Sequence, residues 1–297
     1  MAIKINWQDL QKRIINWQEV QKVMLNWNQI RPSSWPTPTV NYFRLSGFLP
    51  WWWYFQFIKE WNPTNVSLEY SEVETWGQIT WWSDLELDVP YRLDSSHRFY
   101  IRNKSATPTW FSTSAGDYYH FYVYGTSCMA GGDITYLLCE NGTNTLSTCC
   151  FEYLFEWSPA LEVFASPLSA TNLAIQCYSY MFYNCSLLNT APQLPATTLA
   201  QGCYSSMFQR CSSLRQIPEL PSTNLAMWCY EDMFKWCTSV KISDTQTWEY
   251  QTQYRIPKSW TGTSWLASTR DMFSGTWGTF TWTPSINTTY YTSNQVI

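Results

Sequence analysis

The sequence predicts a multidomain α+β chain: a small N-terminal β-meander, an antiparallel β-sandwich and a C-terminal α/β solenoid of 26-residue units. Three observations carry this prediction. The N-terminus repeats an Asn-Trp pair every ten residues, the middle consists of short alternating runs bounded by turns, and the C-terminal half aligns with itself at a fixed 26-residue period. At 297 residues the chain is longer than a typical single domain. The divisions read as residues 1–35, 36–125 and 126–297, the last with a C-terminal cap.

The first element rests on Asn6-Trp7-Gln8, Asn16-Trp17-Gln18 and Asn26-Trp27-Asn28, with strand-length segments at 9–15 and 19–25 between them. A meander this small is marginal alone, so it is expected to pair with a partner chain or to pack on the sandwich. Residues 33–38, rich in Ser and Pro, are the natural linker after it.

The second element, an immunoglobulin-like antiparallel sandwich, rests on alternating runs at 66–70, 76–81, 99–102 and 118–124. Trp76 takes a strand position where a core aromatic is expected.

The third rests on register. Cys177, Cys203 and Cys229 are followed by Met181, Met207 and Met233 and by Phe182, Phe208 and Phe234, and Cys185, Cys211 and Cys237 close each unit. Leu173, Leu199 and Leu225 open the units, and a worn copy at 145–168 has Ser158 in place of the second cysteine. Asp271, Met272 and Phe273 form a last remnant. Leu199, Cys203, Met207 and Cys211 recur at i, i+4, i+8 and i+12 beside Ala200, Tyr204 and Phe208, which reads as an apolar helical stripe capped by Thr197 or Thr198. The prolines at 218 and 221 leave room only for a short extended segment, so each unit reads as helix, turn, short strand. No unit buries its apolar face alone, and neighbours must stack.

The phrases CYSYMFYNCSLL, LPATTLAQGCYSSMFQRCSSL and LAMWCYEDMFKWCTSV resemble the leucine-rich repeats of BspA-like surface proteins, found in gut Bacteroidales and their phages. The resemblance spans about residues 139–242 and implies an extracellular or virion-exposed adhesion module without catalysis. More weakly, 68–79 is similar to the sandwich that often precedes such repeats. The segment QKRIINWQEVQKVMLNWNQIRP is similar to N-terminal segments of phage virion proteins, which implies an attachment element joining other virion proteins.

Composition narrows the function. With 13% charged residues and a net charge of −4, the chain offers no basic footprint for nucleic acid. No apolar stretch approaches the roughly 20 residues of a membrane helix, and no secretory h-region opens the chain, so membrane insertion and Sec export are not expected. Of the ten cysteines, the six in the repeat read as buried thiols rather than as disulfides or zinc ligands, because zinc sites favour closer pairs, while Cys128, Cys139 and the vicinal Cys149 and Cys150 are left open by the sequence. His97 and His120 lie in no motif, and Glu152 with Glu156, like Glu231 with Asp232, read as solvated faces. No cofactor is implied.

Tryptophan outnumbers glycine, 20 to 11, and several tryptophans take glycine-like places. Trp7, Trp17 and Trp27 follow Asn in turns, Trp228 aligns with Gly202, and Trp236 aligns with Asn184, at a helix-ending site that favours Gly or Asn. Trp277 and Trp282 also fall in turn-like sequence. Descent from glycine through a recoded codon or a substitution, and true tryptophans forming exposed stacking surfaces, both remain open on the sequence.

The expected function is that of a virion-associated structural or adhesion protein, such as a tail or head fibre or a decoration protein, at the virion surface or outside the cell. Its partners would be other virion proteins and a host surface protein or glycan, and a homo-oligomer is compatible with this. Alternatives are a bacterial cell-surface adhesin and a lectin-like or carbohydrate-active protein. Candidate contact residues are those that vary between repeats: Tyr180, Tyr183, Ser206, Gln209, Asp232 and Lys235.

Overall fold

The computed structural model describes residues 42–47, 53–60, 66–74, 79, 81–93, 97–114, 116–165, 168–259 and 267–297. The expected meander with Trp7, Trp17 and Trp27, and Trp76 with most of run 76–81, lie outside them. Every described residue belongs to one compact unit, Asn41–Ile297.

Aromatic and β-branched residues alternating with polar ones build two facing sheets. Strands β1 (Phe43–Gly47), β2 (Trp53–Glu60), β3 (Leu68–Glu74), β4 (Ser83–Asp84) and β5 (Tyr91–Leu93) come first. They are followed by β6 (His97–Asn103), β7 (Ser112–Ser114), β8 (Asp117–Tyr124), β9 (Cys128–Gly131) and β10 (Leu161–Phe164). One sheet has the order β4-β3-β6-β1-β9-β10 and the other β5-β2-β8-β7. Strands β3, β6 and β8 overlap the alternating runs at 66–70, 99–102 and 118–124. Antiparallel register sets Leu45 opposite Phe99 in the first sheet and Phe57 opposite Phe121 in the second. Between the sheets, Phe43 meets Phe121 at 5.7 Å and Phe55 meets Phe99 at 5.2 Å, all four buried.

The expected α+β fold with an α/β leucine-rich-repeat solenoid is not the one found. Regular structure among the described residues is strand with one short 3-10 helix, Ile134–Leu137, and no α-helix, so no helix–turn–strand unit is present. The segments read as helices are trains of turns. Along 176–185, alternate amides bond backward to the third carbonyl before them, as Cys177 N to Ala174 O, Ser179 N to Gln176 O and Met181 N to Tyr178 O. The amides between them bond to the following unit: Tyr178 N to Cys203 O, Tyr180 N to Ser205 O and Phe182 N to Met207 O. A helix would satisfy all of these donors internally. Every fourth residue is left-handed: Gln176, Tyr180 and Asn184, then Gly202, Ser206 and Arg210, then Trp228, Asp232 and Trp236. The earlier copy does the same at Cys149, Tyr153 and Trp157, and the last at Ala267, Asp271 and Gly275.

Successive units lie side by side around one interior. Phe155, Phe182, Phe208, Phe234 and Phe273 form a column of near-parallel rings 5.6 to 5.8 Å apart. Phe151, Tyr178, Tyr204 and Tyr230 form a second column 5.8 to 6.1 Å apart. Both columns begin in the sandwich, since Phe121 lies 5.8 Å from Phe155 and Phe111 lies 6.0 Å from Phe151. Burying each ring contributes on the order of 2 kcal/mol.

The backbone also runs on. Val163 of β10 bridges Thr190, which bridges Gln216, so the first sheet continues as a parallel row into β11 (Gln216–Ile217). That strand pairs in parallel with β15 (Gln295–Val296). A separate sheet sets β14 (Thr289–Thr292) between β12 (Ile242–Ser243) and β13 (Thr252–Arg255).

Candidate functional site

All ten cysteines are buried and free. One thiol column donates to the phenylalanine carbonyl of the preceding unit: Cys185 Sγ to Phe155 O at 3.1 Å, Cys211 Sγ to Phe182 O at 3.1 Å and Cys237 Sγ to Phe208 O at 2.8 Å. Ser158, where the first unit lacks this cysteine, does the same with its hydroxyl, donating to Phe121 O of β8 at 2.6 Å. Burial pushes the Cys203 thiol up to about 12 and Cys211 well above the ordinary thiol value, so neither offers a thiolate. Among the described residues no group of three or more His, Cys, Asp or Glu is placed to hold a metal ion.

Several left-handed corners carry rings on the outer surface, and stacking aligns equal corners of neighbouring units, as Tyr153 on Tyr180, while the corners Cys149 and Ser206 are buried. Tyr118 of β8 stacks on Tyr153 at 4.5 Å, and Tyr153 stacks on Tyr180 at 5.0 Å. Tyr180 lies 5.7 Å from Tyr183, which meets Trp157 edge-on at 6.1 Å. The guanidinium of Arg210 lies over the Tyr183 ring at 5.9 Å. Trp157 is 50% exposed, and the tyrosines are half-buried, so the band presents rings to solvent from a packed backing.

The six residues singled out by their variation fall in two adjacent columns. Tyr180, Ser206 and Asp232 occupy the middle left-handed corner of successive units, and Tyr183, Gln209 and Lys235 stand three residues on. Tyr180 and Tyr183 belong to the aromatic band. Ser206 is 1% exposed and its hydroxyl has no hydrogen-bond partner, so it backs the surface rather than facing out. Asp232 and Lys235 bond to each other at 3.2 Å. Gln209 is half-buried and its carbonyl accepts from Asn184 N at 2.9 Å. Sequence reasoning missed Tyr118, Tyr153, Trp157 and Arg210; the one-residue shift of the first copy hides that Trp157 stands where Asn184 and Trp236 stand.

Beneath the band, where β8 meets the first unit, the acidic pair expected in solvent is not there. Glu152 is 1% exposed and neither carboxylate oxygen has a full hydrogen-bond partner, and desolvation raises its pKa to about 7. The physical reason is the absence of a helix: a four-residue turn period sends position 152 inward beside Cys149. Glu156 is half-buried, accepts the Tyr118 hydroxyl at 2.9 Å, and is also raised by desolvation. His120 is buried and held neutral, its pKa lowered by burial to about 4. Its Nε2 lies 3.8 Å from Glu60 Oε1, too far for a hydrogen bond.

Trp228 and Trp236 occupy left-handed corners with φ of +57° and +62°, as do their counterparts Gly202 at +61° and Asn184 at +59°. Trp236 also lies against the next unit, where a Cβ on Gly275 would approach its ring to 2.7 Å.

No family model matches the chain, and no curated protein or solved structure matches it. Among the described residues no helix is long and apolar enough to cross a membrane.

Proposed function

We propose that the chain is a non-enzymatic attachment protein, a structural component of a virion that holds a host cell surface through the aromatic band on its turn trains. The single observation that carries the binding reading is the continuity of Tyr118, Tyr153, Tyr180, Tyr183 and Trp157, with Arg210 over Tyr183, across four neighbouring elements. Trp, Tyr and Arg are the residues that supply most binding energy in protein interfaces, and here a rigid backing lowers the entropy of ordering them. The likeness of the C-Y-x-x-M-F-x-x-C phrase to surface-protein repeats, and of the N-terminal segment to virion proteins, supports the adhesive and virion parts of the reading.

The test is binding of fluorescently labelled chain to intact host cells, measured by flow cytometry. The Trp157→Ala, Tyr183→Ala double variant is expected to lose at least about tenfold in apparent affinity, with its unfolding midpoint little changed because both side chains reach solvent. Undiminished binding by a folded double variant would remove the band from the function.

A further inference from the structure

A second surface lies on the short-strand segment of each unit, where residues 26 apart again come into line. Two shallow grooves meet there and share Arg215. One is lined in part by Glu162 and Asn189, the other by Ser239, Lys241, Ser293 and Trp277.

The charged groups in these grooves differ in how they are engaged. Glu162 accepts from Asn189 Nδ2 at 3.1 Å and from the Ser127 hydroxyl. Lys241 is paired with Glu249 at 3.0 Å. Arg215 is exposed, and its guanidinium makes no ion pair and no hydrogen bond among the described residues. By contrast Arg102, Lys104, Lys235, Lys258 and Arg270 each face a carboxylate.

The backbone carrying Arg215 is nonetheless clamped. Its amide donates to Asn189 O at 2.9 Å, and its carbonyl accepts from Asn294 Nδ2 at 3.2 Å and Gln295 N at 3.3 Å. Trp277, held by its amide to Val240 O at 3.1 Å, is 71% exposed in the same groove. A guanidinium fork with no partner among the described residues and an exposed tryptophan thus stand on a rigid base, with Ser239 and Ser293 lining the same groove.

We infer that this groove binds an acidic oligosaccharide of the uronate type. The carboxylate takes the Arg215 fork in two parallel hydrogen bonds, a pyranose ring lays its C–H face on Trp277, and sugar hydroxyls meet Ser239 and Ser293. A sugar acid is favoured over an acidic peptide because, among the described residues, Trp277 is the one large apolar side chain lining that groove, which leaves no recess for peptide side chains. The inference is independent of the aromatic band.

Isothermal titration calorimetry of the full chain at low salt, with tetragalacturonate, its neutral tetragalactose counterpart and an oligoglutamate of equal charge, tests it. Tetragalacturonate is expected to bind. Arg215→Gln and Trp277→Ala are each expected to weaken it at least about tenfold, and Arg215→Lys by less than Arg215→Gln. Arg210→Gln, in the aromatic band, is expected to leave the titration unchanged. The inference is overturned by no binding of tetragalacturonate, by equal binding of the neutral sugar, by oligoglutamate binding as tightly, or by an undiminished titration of Arg215→Gln. Sugar binding that survives in the Trp157→Ala, Tyr183→Ala variant alongside lost cell attachment separates the two surfaces. Cell attachment that survives while the titration fails removes the groove alone.

Discussion

Truncating one ring in the middle of the phenylalanine column tests whether the units share an interior. Phe208 is fully buried, with Phe182 at 5.6 Å on one side and Phe234 at 5.7 Å on the other, both within 6° of parallel. Phe208→Ala removes the burial of a whole ring and leaves a cavity that the neighbouring units cannot close, because their backbones are tied to this one. Phe208 N bonds to Met233 O and Phe182 N to Met207 O. The two terms together put the loss at about 4 kcal/mol. Phe208→Leu, which keeps most of the volume, is expected to lose about 1 to 2 kcal/mol. Equilibrium unfolding in guanidinium, followed by tryptophan fluorescence, reads both as shifts of midpoint at constant slope. A loss below about 1.5 kcal/mol for Phe208→Ala at unchanged slope would refute the reasoning, since a ring in a small separate cluster or facing water loses little on truncation.

Glu152 makes stability depend on pH in a defined sense: its carboxyl titrates near 7 in the fold but near 4.3 in the unfolded chain. The unfolded state therefore gives up its proton first, and stability falls as pH rises from about 4.3 to about 7. Glu152→Gln is expected to be about 3 to 4 kcal/mol more stable than the parent at pH 8 and equal to it at pH 4, and equal differences at the two pH values would contradict this. Because every cysteine is buried and Cys203 is pushed up to about 12, none of the ten is expected to react with a thiol-disulfide reagent at pH 8 until the chain unfolds. Rapid labelling of repeat cysteines in the native chain, located by mass spectrometry, would contradict their placement. Trp228→Gly puts at a left-handed corner the residue its neighbour Gly202 already has, and is expected to raise stability by about 0.5 kcal/mol by thermal unfolding.

The side chains that share the interior were legible in the sequence, and the backbone joining them was not. A 26-residue period puts Cys203 over Cys177 and Phe208 over Phe182 whatever lies between, since stacking requires only that equal positions meet. Within a unit, apolar residues at 203, 204, 207, 208 and 211 suit a helix over one turn. A strict four-residue spacing, however, drifts by about 40° per step on an ideal helix, and three steps carry Cys211 well off the face that Leu199 starts on. A turn of exact period four carries no such drift. The same spacing, read without a helix, also turns Glu152 inward.

The glycine-like places of Trp228 and Trp236 do have φ > 0, but the helix end expected at Trp236 is a recurring turn corner. The half-helical, half-strand fold drawn from these segments fails for that reason. Of the surface, the column of Tyr180 and the column of Tyr183 follow from variation between repeats. Tyr118 could not be found that way, because it comes from a strand outside the repeat. Arg215 carries no motif, and its place beside Trp277 depends on the C-terminal segment folding back.

Strand β8 offers Phe121 O to Ser158 as each later phenylalanine carbonyl is offered to the next cysteine. The sandwich thus ends in the same template that every copy inherits and passes on. Copy number can then change by whole multiples without redesigning either terminus, each gain extending the molecule by one ring spacing, 5.6 to 5.8 Å. A lineage that had to vary its reach could do so by duplication alone.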